Sequence, residues 1–246
     1  MSKILGVIPA RFADAHFPGK VLEKIGNRTV LEWVYWSALS CPEIDKIVVA
    51  TDDERVREIA IQNNIDYLMT LETHKTGTDR LVEVAEYFKE YDMIVNIQGN
   101  MPGVNPEIIR GVIQLKKSEP EWTVTTAARP FLEGEDPTSP RNVKVVMSRK
   151  KSALYFSRSL IPFPRHIGIQ SVYMHLGIYV FTRDFLYHFA TLPPSSLEQT
   201  EYLEQLRILE NDYSIGVFLT NQFGMGVDLP EDLQYIQQYY KSKGSF

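Results

Sequence analysis

Ile4-Leu5-Gly6-Val7-Ile8-Pro9 is an apolar, β-branched run that passes straight into the loop Ala10-Arg11-Phe12-Ala13-Asp14-Ala15-His16-Phe17-Pro18-Gly19-Lys20 and then into a helix-like stretch at 29–39. Strand, loop, helix is the building unit of a parallel sheet, and it recurs downstream. Residues 46–50 read as a second buried strand, and Thr51-Asp52-Asp53-Glu54 supplies a helix start with a capping side chain and an acidic first turn. A short strand at 65–69, helical spacing at 79–88 and an apolar strand at 93–97 continue the alternation. The sequence therefore predicts an α/β fold with a mostly parallel sheet flanked by helices. Ligands of such sheets gather beyond the carboxyl ends of the strands, which points to 10–20 and 98–101.

From Trp122 the texture changes. Strand-like segments at 123–127, 143–147 and 153–156 precede a proline-rich turn at 161–164, and 175–181 reads as another strand. These predict a β-rich portion over roughly 122–200 within one domain of 1–246. An amphipathic helix at 197–209, a strand at 215–219 and a helix at 230–240 close the chain.

Composition narrows the function classes. The 246 residues are 44% hydrophobic and 23% charged, as in ordinary globular domains. A net charge of −5 offers no broad basic surface, so nucleic acid is not an expected partner. Cys41 is the sole cysteine, which excludes an intrachain disulfide and a cysteine-built metal site, fits a reducing cytoplasm, and suits a small buried hydrophobe. No basic start with a long apolar region opens the chain, and no apolar run nears the ~20 residues that span a bilayer, so neither secretion nor membrane insertion is expected.

The loop after the first strand carries two cations, Arg11 and Lys20, on a flexible backbone. That arrangement suits a polyphosphate, with a solvated loop as the plainer alternative. It is not a P-loop, because Val21 follows Gly19-Lys20 where Ser or Thr would stand. Asp228, in Gly224-Met225-Gly226-Val227-Asp228, suits either a divalent cation or the cap of the helix opening at Pro230, and spacing favours the cap. His16, His74, His166, His175 and His188 lack zinc-like spacing. Glu201, Glu204 and Gln205 read as the solvated face of a helix. Arg158 and His175 are placed to meet a carboxylate ligand, with a core hydrogen bond as the alternative for His175.

The ordered blocks Ile8-Pro9-Ala10-Arg11, Phe17-Pro18-Gly19-Lys20, Val49-Ala50-Thr51-Asp52-Asp53, Thr76-Gly77-Thr78-Asp79-Arg80 and Val95-Asn96-Ile97-Gln98-Gly99 resemble the 3-deoxy-manno-octulosonate (Kdo) cytidylyltransferase family. Later blocks match in the same order: Val143-Lys144-Val145-Val146, Ala153-Leu154-Tyr155-Phe156-Ser157-Arg158, His175-Leu176-Gly177-Ile178-Tyr179, Leu203-Glu204-Gln205-Leu206-Arg207 and Gly226-Val227-Asp228-Leu229-Pro230. The resemblance covers nearly the whole chain.

It implies a nucleotidyltransferase fold with a β-rich sugar-binding and dimerisation portion, a homodimer, CTP and a 3-deoxy-ulosonic acid sugar as substrates, and Mg2+ as cofactor. It also implies roles: Arg11 and Lys20 on the phosphates and, with Asp228, in catalysis; Ala10, Thr76, Gly77, Thr78, Gln98 and Asn100 around the nucleotide; Asp228 and Asn100 on the metal. Arg80, Arg158, His175, Tyr179, Glu204 and Gln205 would face the sugar acid. Three positions depart from the family pattern, with His16 in place of Arg, Asn100 of Asp and Met101 of Glu. These departures favour a second reading, a catalytically weak relative that binds both ligands. A third is the same chemistry on a different acidic sugar.

Overall fold

The computed structural model describes residues 2–74, 76–166 and 172–242. The chain opens with β1 (Ile4–Pro9), a hairpin of β2 (Lys24–Ile25) and β3 (Arg28–Thr29), α1 (Val30–Leu39), β4 (Lys46–Thr51), α2 (Glu54–Gln62), β5 (Tyr67–Met69), α3 (Gly77–Tyr87), β6 (Met93–Asn96) and α4 (Pro106–Ser118). It continues through β7 (Val124–Pro130), β8 (Lys144–Met147), β9 (Ala153–Ser157), β10 (Tyr173–Thr182), α5 (Arg183–Thr191), α6 (Ser196–Glu201), α7 (Gln205–Glu210), β11 (Ile215–Leu219) and α8 (Pro230–Ser242). Two compact units result: Met1–Arg110 with Phe223–Phe246, and Gly111–Gln222, the division falling inside α4.

In the first unit β6, β1, β4 and β5 lie side by side and all pair in parallel, with Val7 opposite both Val48 and Asn96. Ile4, Leu5, Val7 and Ile8 are fully buried. Continuous apolar burial is what a strand covered on both faces requires, and each such side chain contributes about 1.5–3 kcal/mol. The crossover helices begin on designed-in stops: Thr29 accepts from Glu32 N and Glu32 from Thr29 N at α1, and Thr76 and Asp79 repeat that capping box at α3. The expected α/β fold, a parallel sheet flanked by helices, is the one found.

In the second unit β11 pairs in parallel with β7, β7 with β10 antiparallel, and β10, β8 and β9 continue antiparallel. The β10–β7 register shifts between Leu176 and Tyr179. Residues 122–200, expected to be β-rich, fall within this unit.

Two helices escaped the sequence reading. α4 carries a local signal, because Asn105 accepts from Glu107 N at 2.9 Å and Pro106 takes the first helical position. α5 is capped by Thr182, which accepts from Phe185 N. The helix expected at 197–209 is two helices. Tyr202 adopts φ 52° between them, and Glu198 on α6 takes a buried pair of bonds from Arg207 on α7, Arg207 Nε donating at 2.7 Å. That pair folds the segment back on itself.

Candidate functional site

The loop 10–20 is a built object. Asp14 Oδ1 accepts from the backbone N–H groups of His16 at 2.9 Å and Phe17 at 3.0 Å, and Phe12 O accepts from Gly19 N at 2.8 Å. Gly19 takes φ +75° against the Phe12 ring, where an added Cβ would sit 2.8 Å from Cε2, so only glycine fits. The Phe12 ring also carries the Arg55 guanidinium, 3.2 Å from the centroid, itself gripped by both oxygens of Asp53.

This turn delivers Lys20 to a point between two carboxylates, with Nζ 2.8 Å from Asp14 Oδ2 and 2.9 Å from Asp228 Oδ1. Burial works against the lysine's charge, but the two anions, Asp228 foremost, outweigh it and raise its pKa. Burial likewise opposes ionisation of Asp14, yet the bonds from Lys20, Phe17 and His16 hold its carboxyl at about 2.

Asp228 does not cap α8. Asp232 does: its Oδ2 accepts from Asp228 N at 3.0 Å and Leu229 N at 2.8 Å. The cap reading drawn from spacing is therefore corrected, and the Asp228 carboxylate is left to face Lys20 and Asn100. Asn100 Nδ2 donates to Asp228 Oδ1 at 2.9 Å and to Val227 O at 3.2 Å, while Val227 N donates back to Asn100 O at 2.6 Å. Asn100 thus turns its nitrogen toward Asp228, the opposite of a metal ligand's orientation. Gly99 lets this loop pass close to β1, since a Cβ there would lie 2.4 Å from Pro9 O.

Ala10 is fully buried, and its N–H extends the ladder to Ala50 O. Arg11 Nη2 donates to His74 O at 2.7 Å and Thr76 O at 3.2 Å, tying the first loop to the start of α3. Thr76, Gly77 and Thr78 form the cap and first turn of that helix, whose early N–H groups attract anions. Space around Gly77 is open. Gln98 is half-buried at the end of β6, and His16 is exposed. Met101 is buried at 7% exposure and serves the core.

Arg80, expected to face the sugar acid, lies inside the fold. Its side chain is fully buried, and its guanidinium donates to the Asp52 carboxylate and the Thr70 hydroxyl. It ties together the chain just past β4 and β5 as part of the framework.

In the second unit Arg158 is held from three sides: Nε donates to Glu201 O at 2.7 Å, Nη1 to Pro140 O at 3.1 Å and Nη2 to Tyr202 O at 3.3 Å. The Glu201 carboxylate also accepts from Ser157 Oγ at 2.6 Å and Arg158 N at 2.8 Å. Glu201, read from sequence as solvated, is a bracket for Arg158. Nothing local signals this, because the partners lie more than forty residues apart.

His175 and Tyr179 share one face of β10, 5.5 Å apart, with Phe156 edge-on to His175 at 4.8 Å. Thr126 gives its one hydroxyl hydrogen to Ile178 O at 2.7 Å, so at 2.9 Å it accepts from His175 Nε2. His175 is half-buried, and burial pushes its pKa down to about 3. His175 is therefore neutral and presents Nδ1 as an acceptor. The core hydrogen bond, the alternative expected for His175, is present. Burial, then the charge of Glu204, raises the Tyr179 pKa well above its usual value. Gln205 is buried at 6% exposure.

Among the described residues no group of three or more His, Cys, Asp or Glu side chains forms a metal cage, and no helix is long and apolar enough to cross a membrane.

Residues 5–215 match the cytidylyltransferase family. Relatives named 3-deoxy-manno-octulosonate cytidylyltransferase include one from Leptospira interrogans, 47% identical over 99% of this chain and 98% of its own. Another, from Fusobacterium nucleatum, is 41% identical over 97% of both chains. The solved structure of CMP:2-keto-3-deoxy-manno-octonic acid synthetase complexed with CTP superimposes with TM-score 0.91 at 36% identity, covering 98% of this chain and 100% of that one. A cytidylyltransferase structure from Leptospira borgpetersenii, TM-score 0.68 at 15% identity over 98% and 88%, shares the fold.

Proposed function

The chain belongs to the cytidylyltransferase family, and from that premise we propose that it joins the CMP part of CTP to a 3-deoxy-ulosonic acid sugar, Kdo or an amino-substituted Kdo. The anomeric hydroxyl oxygen attacks the α-phosphorus, the bond to the β-phosphate oxygen breaks, pyrophosphate leaves and the hydroxyl proton is released. The observation that carries this reading is the convergence of Lys20 and Asp228 at 2.9 Å, reached by loops on the strand ends where α/β sheets bind ligands.

Lys20 offers one N–H, and Arg11 with the first turn of α3 adds positive potential, for the triphosphate. Ala10, Gln98 and Asn100 are assigned to the nucleotide. Arg158 suits the sugar carboxylate through its remaining N–H groups, while neutral His175, Tyr179, Glu204 and Gln205 suit its hydroxyls. Magnesium takes one or two carboxylates plus substrate phosphates rather than a protein cage, and the exposed Asp228 carboxylate fits that habit. When bound, the ion would neutralise charge on the phosphates. Asn100, as oriented, donates to the Asp228 oxygen that also receives Lys20 rather than adding a ligand. A homodimer in the cytoplasm belongs to the same proposal.

Pyrophosphate release from CTP, magnesium and a panel of 3-deoxy sugar acids tests the assignment, with release on one or more expected. No release with any sugar, alongside tight CTP binding by calorimetry, would favour the catalytically weak relative, which the neutral Asn100 beside Asp228 makes the second reading.

A further inference from the structure

We propose that Asp14 is a positioning residue that acts through Lys20, setting its ammonium for the phosphates. The inference rests on Lys20 being a phosphate-binding cation. A lysine carries four rotatable bonds, and fixing them costs on the order of 1.5–2 kcal/mol, so an unaided Lys20 would sample many positions. Asp14 removes that freedom with one side chain serving two purposes. Its Oδ1 closes the turn by accepting from His16 N and Phe17 N, and its Oδ2 holds Lys20 Nζ at 2.8 Å, with only 25% of the Asp14 side chain exposed. The same oxygen pair therefore couples the loop's backbone shape to the ammonium it delivers.

Asp228 takes a second N–H of Lys20 from the opposite segment, at 2.9 Å. Three donors less two leaves one N–H for a phosphate oxygen, and its direction is set by the other two. Lys20 with two carboxylates carries a net charge of −1, so a bare polyanion gains little by approaching, whereas one bearing a divalent cation brings its own compensation for Asp228. Asp14, tied down by two backbone amides, stays with Lys20 throughout.

Two substitutions separate the purposes. Asp14→Asn keeps an oxygen for the His16 and Phe17 amides and removes the ion pair; Asp14→Ala removes both. Asp14→Asn should lower kcat by roughly tenfold with KM for CTP within about twofold, as expected when a reacting contact is misplaced rather than lost. Asp14→Ala should show that fall together with lost hydrogen-exchange protection at the His16 and Phe17 amides. Wild-type kcat in Asp14→Asn, or a KM rise at unchanged kcat, would overturn the role.

A stability cycle reads the coupling without any activity. Asp14→Asn should destabilise the wild-type protein in denaturant titrations but not the Lys20→Met variant, and additive losses overturn the pairing. Should the wild-type protein release no pyrophosphate with any sugar, the functional reading falls, and this cycle alone still supports or overturns the coupling.

Discussion

The amide nitrogen of Asn100 donates to the Asp228 carboxylate at 2.9 Å, on the oxygen that also receives Lys20. That oxygen is thus satisfied by two donors before any ligand arrives.

Replacing Asn100 by Asp turns the neutral donor into a second anion at the same spot. Without divalent ions the variant should lose stability, on the order of 1 kcal/mol from repulsion in a partly solvated setting. Added magnesium should restore the melting temperature and bind more tightly than in the wild type. Calorimetric and thermal titrations with magnesium check this, and equal metal affinity in the two proteins would show that Asn100 is not what limits the metal.

Arg80→Ala should cost about 3–5 kcal/mol, because it strands the Asp52 carboxylate and the Thr70 hydroxyl in a buried place. Arg80→Met paired with Asp52→Leu should recover most of that loss. Denaturant midpoints decide it: a loss under about 1 kcal/mol for Arg80→Ala would contradict the framework role.

Protonation of His175 gives the fold a pH dependence of known sign. Its folded pKa lies near 3, below the ordinary 6.5, so the unfolded chain binds the extra proton and stability is present above about 6.5 and lost as pH falls toward 3. Between pH 7 and 5 the loss should be roughly 2 kcal/mol. His175→Gln should flatten that slope in denaturant titrations, and an unchanged slope would assign it elsewhere.

Arg158→Ala should raise KM for the sugar acid while leaving KM for CTP within about twofold, since losing a partly buried carboxylate pair costs about 2–5 kcal/mol. Arg158→Lys should not rescue it, because an ammonium that met the Glu201, Pro140 and Tyr202 carbonyls would have no N–H left for the sugar carboxylate. A larger effect on CTP than on sugar would sink the assignment.

Sequence alone determined the elements whose signals are local. β1 announces itself by an unbroken apolar run because both its faces are covered, and the start of α2 by a capping residue and an acidic first turn. The strand-end loops carrying Arg11, Lys20 and Asn100 follow from that alternation, and the order of the matched blocks pointed to the family.

Only the tertiary structure decided which charges meet. Asp14 and Asp228 converge on Lys20 from positions 6 and 208 residues away, Glu201 reaches Arg158 across 43, and Asp52 pairs with Arg80 across 28. A carboxylate's role depends on what the folded chain brings within about 3 Å of it, and periodicity holds no record of that distance. The break at Tyr202 belongs with these, since helical spacing on both sides is identical whether or not Glu198 and Arg207 fold the two pieces together.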